Sequence, residues 1–88
     1  MVISGMYIET LEGSANEVAG QLIKLEGVEV HFIEKISNKI VITLEADSVD
    51  RSYNIADTFK QIDGVLSTCL VYSNFEEDPF YKKADGLQ

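Results

Sequence analysis

The 88-residue chain has one cysteine, one proline, one histidine and no tryptophan. Cys69 has no second thiol to pair with, which excludes a disulfide framework, fits a reducing compartment and weakens any thiol or cysteine-rich metal chemistry. With His31 as the single imidazole, no histidine-cysteine cluster for zinc can assemble, so neither a metal nor another cofactor is expected. The glycines Gly13, Gly20, Gly27 and Gly64 are isolated and form no phosphate cradle. No apolar stretch approaches the roughly 20 residues that span a bilayer. The opening MVISGMYIE has no basic lead and no small-residue cleavage pattern, so it is expected to be a strand rather than an export signal. Basic residues are also scarce: 7 stand against 15 acidic ones, for a net charge of -8. That balance repels nucleic-acid phosphates and anionic membranes and favours a cationic partner, although an acidic surface also serves simply to solvate a small protein. The short run Glu76, Glu77, Asp78 carries the same two readings.

What is present is a pattern stated twice. Ala15 to Val30 and Ser52 to Ser67 are both amphipathic helix patterns running into a Gly-Val step and a strand, and they superpose at one constant offset. Val18 falls on Ile55, Ala19 on Ala56, Leu22 on Phe59, Gly27 on Gly64 and Val28 on Val65. A β-rich run precedes each helix, so the order is βαβ followed by βαβ. The first strand is expected over Val2 to Glu9 and a first helix over Ala15 to Glu26, opened by a Ser14/Glu17 capping box. A second strand follows over Val28 to Lys35, then a turn at Ser37-Asn38-Lys39 and a third strand over Lys39 to Glu45. A second helix capped by Asp47 or Ser48 leads to a fourth strand, Val65 to Tyr72. This arrangement is an α+β, ferredoxin-like split βαβ sandwich (βαββαβ). Its four-stranded antiparallel sheet has strand order 4-1-3-2, strands one and three are expected to run parallel at its centre, and both helices cover one face. Residues 1-73 are expected to form the domain, and hydrophobic residues, 45% of the full chain, suffice for its one core. Residues 74-88 lose periodicity and are expected to form a mobile C-terminal tail, whose Phe75, Phe80 and Tyr81 would suit an apolar surface.

Alternation assigns the uncovered face. If Met6, Ile8, Ile40, Ile42 and Leu44 lie under the helices, then Ile3, Gly5, Tyr7 and Glu9 look outward beside Val41, Thr43 and Glu45. In the second strand Val28, Val30 and Phe32 take one face, and Glu29, His31 and Ile33 the other. In the fourth, Val65, Ser67, Cys69 and Val71 are expected inward, with Leu66, Thr68, Leu70 and Tyr72 outward. The result is an exposed apolar band fringed by Glu9, Glu29 and Glu45, either a binding surface or the half-apolar face common on small sheets.

Chemistry is thinly represented. His31 reads as a sheet-face residue rather than a catalytic base, and no enzymatic activity is expected. No Cys-x-x-Cys pair occupies Thr10-Leu11-Glu12-Gly13, where ferredoxin-like metal carriers hold soft ions. Tyr7 is the one aromatic placed to stack a nucleobase, and no basic fringe accompanies it. An acylphosphatase-type enzyme needs an anion-binding arginine after strand one, whereas Arg51, the single arginine, opens helix two.

The chain resembles the NapD family, the small cytoplasmic assembly chaperones of periplasmic nitrate reductase, over about Ile3 to Asp78. The likeness rests on Gln21-Leu22, on Gly27-Val28-Glu29-Val30 and on Val41 to Ala46. It is strongest over Asp63-Gly64-Val65, continuing through Leu66-Ser67-Thr68-Cys69-Leu70-Val71-Tyr72 into an acidic stretch. The resemblance implies a cytoplasmic chaperone that binds the twin-arginine signal peptide of the nitrate reductase catalytic subunit. It would restrain export until the molybdenum cofactor has been inserted. Such a peptide presents two guanidinium groups beside an apolar segment and calls for carboxylates bordering a hydrophobic strip. The expected peptide-binding residues are Ile3, Tyr7, Glu9, Glu29, Val41, Thr43, Glu45, Leu66, Thr68, Leu70 and Tyr72. A rival reading of the same topology is a small-molecule-sensing regulatory domain acting as a homodimer through its edge strands.

Overall fold

The computed structural model describes residues 1–74. The tail expected from residue 74 onward, with Phe75, Phe80, Tyr81 and the run Glu76 to Asp78, lies outside the described residues except for Asn74, which closes the last strand. The elements are β1 (Val2–Thr10), α1 (Ala15–Leu22), β2 (Val28–Glu34), β3 (Lys39–Ala46), α2 (Val49–Thr58) and β4 (Val65–Asn74), with a 3-10 turn over Phe59–Gln61 after α2. The sheet order β2-β3-β1-β4 is that of the ferredoxin-like sandwich. Every neighbouring pair is antiparallel, β1 with β3 included, which corrects the expected parallel central pair. Each helical crossover makes β1 parallel to β2 and β3 parallel to β4 but skips one strand position, so no two parallel strands become neighbours.

The core forms where alternating strand residues meet the helix stripes. Ile8, Ile40, Ile42 and Leu44 from the sheet meet Val18 and Leu22 from α1, all fully buried. Phe59 is the corresponding anchor after α2; α2 itself buries no residue completely and reaches the core through Ile55 and Ala56. Ser48 caps α2, its Oγ accepting from the Arg51 N–H at 3.1 Å. Ser14 makes no such bond, so the expected capping box is not formed. α1 also stops at Leu22 rather than Glu26. Beyond it the backbone tightens into i→i−3 bonds, Lys24 N to Gln21 O at 3.3 Å and Leu25 N to Leu22 O at 3.1 Å. Gly27 then turns with φ 83°. Its carbonyl accepts from Glu45 N at 2.8 Å, and any Cβ there would run into the Glu45 carbonyl, so only glycine lets this loop lie against β3.

Bulges in both edge strands change which residues face out. In β2 the register slips between Val30 and Phe32, so Val28 and Val30 pair with Leu44 and Ile42 but Phe32 pairs with Val41. Phe32 therefore lies on the uncovered face and Ile33 returns beneath the helices, the reverse of their expected places. In β4, Leu66 and Val71 are the extra residues. Between them Thr68 and Leu70 pair with Ile8 and Met6 on the helix side, while Ser67 and Cys69 pair with Glu9 and Tyr7 on the open side. The expected outward Thr68 and Leu70 and inward Ser67 and Cys69 are thus exchanged. The same bulges break the regular ladder that edge-to-edge pairing of two copies would need.

Candidate functional site

The register arranges the open face in rows crossing the strands, because directly opposed residues of antiparallel strands point to the same side. The first row, from β4 to β2, is Ser67, Glu9, Lys39 and Glu34. The second is Cys69, Tyr7, Val41 and Phe32, an unbroken apolar strip across all four strands. The third is Tyr72, Gly5, Thr43 and Glu29, and Ile3 and Glu45 close the far end. Phe32 is 56% exposed, Val41 41% and Tyr72 52%, so the strip and its neighbour are open to solvent. A shallow concavity of about 370 Å³ lies over Gly5, Tyr7, Val41, Thr43 and Tyr72, with His31 and Val71 at its edges.

Gly5 shapes this hollow. The Tyr72 ring lies across β1 directly over it, occupying the space a Cβ would need. A strand glycine here marks a close approach, and the approaching group is the chain's own aromatic ring. Carboxylates stand at both ends of the face. Glu9 is oriented by the Ser67 hydroxyl, which donates to Oε1 at 2.8 Å. His31 Nε2 and Thr43 Oγ1 share a hydrogen bond of 2.8 Å, and a Glu29 carboxylate oxygen stands 3.9 Å from the same nitrogen. The side-chain hydrogen bond and the charge interaction with Cys69, followed by burial and the negative Glu9, push the Tyr7 phenol above its ordinary range. It presents a neutral ring at physiological pH.

Of the residues expected at the site, Ile3, Tyr7, Glu9, Glu29, Val41, Thr43, Glu45 and Tyr72 lie on this face. Leu66 sits exposed at a bulge, and Thr68 and Leu70 line a separate cleft of about 470 Å³ between β4 and α2. That cleft also takes in Met6, Val49, Tyr53 and Ala56, and its charged residues Asp57 and Lys60 pair with each other at 3.1 Å. Sequence reasoning missed Phe32, Cys69 and the role of Gly5. For Phe32 the alternation Val28, Val30, Phe32 runs unbroken and hides the bulge, the one irregularity being the adjacent apolar Ile33. Among the described residues no group of three or more His, Cys, Asp or Glu converges as a metal site, and no helix is long and apolar enough to cross a membrane.

Four antiparallel strands in this order, with both helices on one side, define an α+β domain of ferredoxin-like topology whose distinguishing feature is a sheet face left bare among the described residues, apolar in the middle and acidic at its ends. The sequence matches the family described as NapD protein over residues 1–77, and the chain belongs to the NapD family. Among solved structures it is similar to the solution structure of the E. coli Tat proofreading chaperone protein NapD, with TM-score 0.76 and 21% identity over 86% of this chain and 80% of that chain. It is also similar to the crystal structure of a hypothetical protein from Pyrococcus horikoshii, with TM-score 0.69 and 17% identity over 85% of this chain and 90% of that one. No curated protein matches the sequence.

Proposed function

We propose that this protein is a cytoplasmic proofreading chaperone without catalytic activity. It binds the twin-arginine signal peptide of the periplasmic nitrate reductase catalytic subunit on the open sheet face and restrains export until cofactor insertion is complete. Membership of the NapD family and the fold shared with a Tat proofreading chaperone support the reading. The observation that carries it is the row pattern: the strip Cys69, Tyr7, Val41, Phe32 lies between Glu9 and Glu34 on one side and Glu29 and Glu45 on the other. An apolar peptide segment gains by covering the strip, and its guanidinium groups find carboxylates wherever they emerge from it. The net charge of -8 adds long-range attraction for a cationic guest, felt mainly in the association rate. The α2 cleft fits less well, since the two charges beside it already neutralise each other.

Titrating isotope-labelled full-length protein with the signal peptide tests the proposal. Shifts are expected at Tyr7, Phe32, Val41 and Cys69, with a large loss of affinity when the arginine pair is changed to lysines. Lysine keeps the charge but loses the planar fork. Shifts confined to α1 and α2, or equal binding of both peptides, would overturn it. In cells, a precursor with an empty cofactor site should be exported earlier when the chaperone is deleted.

A further inference from the structure

Lys39 stands directly opposite Glu9 on one side and Glu34 on the other. Its ammonium does not point away into solvent but lies over the face of the diagonal neighbour Tyr7, with Nζ 4.7 Å from the ring centroid. An acidic, largely apolar face thus carries one of its own cations at the middle of its most aromatic row. We infer that the Tyr7 ring, bordered by Glu9, is the seat of one guest guanidinium, and that Lys39 occupies this seat in the free protein as a resident competitor. This rests on the reading of the open face as a cationic-peptide site and adds how arginine is told from lysine there.

The discrimination follows from the exchange. An incoming ammonium replaces an identical group, so the protein gains little by releasing Lys39. A guanidinium is planar, stacks on the ring, is more weakly hydrated and offers a fork to the Glu9 carboxylate, whose orientation Ser67 already holds. The freed Lys39 regains its solvent shell and side-chain freedom between two carboxylates. Lysine is thereby rejected by internal competition, without any steric filter.

The seat can be examined without the signal peptide, using diarginine amide and dilysine amide at constant ionic strength and following the full-length protein by NMR. In the free protein the Lys39 ε-methylene signals should be displaced upfield by the Tyr7 ring current. Saturation with diarginine amide should return them to ordinary values and displace the arginine δ-methylene signals instead, and dilysine amide should compete poorly. Lys39→Met should bind diarginine amide about two- to fivefold more tightly than Lys35→Met, which makes the same change of charge in the turn just after β2. Tyr7→Phe should keep the seat and Tyr7→Leu should lose it. Unmoved Lys39 signals at saturation, absence of saturable binding, or identical affinities for Lys39→Met and Lys35→Met would overturn the inference. If the seat behaves as described and the full signal peptide nevertheless fails to bind, the proposed function falls and the seat stands.

Discussion

Replacing Gly5 by alanine should separate binding from stability. A Cβ at Gly5 would lie within 2.8 Å of Tyr72 Cζ and closer still to Cδ1 and Cε1, so the ring cannot stay flat across β1. Tyr72 is half exposed and can swing outward, so the clash is relieved by moving the ring rather than the backbone. On the stability side, alanine in a strand is favoured over glycine by about 0.5 to 1 kcal/mol, which offsets part of the lost ring contact. The net change in unfolding free energy should stay within about 1 kcal/mol, because no residue of the core moves. On the binding side the variant loses one wall of the hollow over Thr43 and Val41. Losing one central aromatic contact predicts a cost of about 1 to 2 kcal/mol, or roughly 5- to 30-fold in Kd for the signal peptide. Calorimetric titration and urea unfolding measured on the same preparation provide the two numbers. Unchanged affinity in a variant whose Tyr72 ring resonances have demonstrably moved would refute the reasoning. So would a stability loss above about 3 kcal/mol, the range expected for disrupted packing rather than a displaced surface ring.

Other substitutions address the scaffold and the site chemistry. Phe59→Ala removes the single fully buried anchor after α2 and should cost about 3 to 5 kcal/mol in urea unfolding, a large fraction of the stability of so small a domain. Ser48→Ala should lower the unfolding free energy by about 1 kcal/mol, whereas Ser14→Ala should change it by much less, because only Ser48 makes a cap bond. In an ultraviolet pH titration, one tyrosine should ionise above the ordinary 10.0, and Cys69→Ala should return it toward that value by removing the leading cause of the shift. Because the folded-state pKa is the raised one, the associated stabilisation is complete below pH 10 and fades as pH climbs through the Tyr7 value.

The two central strands were legible because each obeys a strict period of two. Met6 and Ile8 against Tyr7 and Glu9, and Ile40, Ile42 and Leu44 against Val41, Thr43 and Glu45, separate as alternation demands. The edge strands were not. A bulge reverses the parity of everything beyond it, and β4, apolar on both faces, offers no polar marker from which to detect one. Thr68 and Leu70 therefore lie on the side opposite to the one alternation predicts, and Phe32 parts from the face of Val28 and Val30. Gly5 was opaque for another reason: its meaning depends on Tyr72, a cross-strand partner that only the fold brings near. The Ser14/Glu17 signature was present in the sequence and unused in the structure, since Ser14 already has helical backbone angles and its hydroxyl makes no cap bond.

Two apolar hollows lie on opposite sides of one sheet, and the larger lies against α2. The most direct measurement is therefore the set of intermolecular nuclear Overhauser contacts between the apolar side chains of the signal peptide and this protein. The account predicts contacts to the rings of Phe32 and Tyr7 and to the methyls of Val41. Contacts instead to Leu70, Tyr53 and Ala56 would place the guest in the helix-side cleft and contradict it.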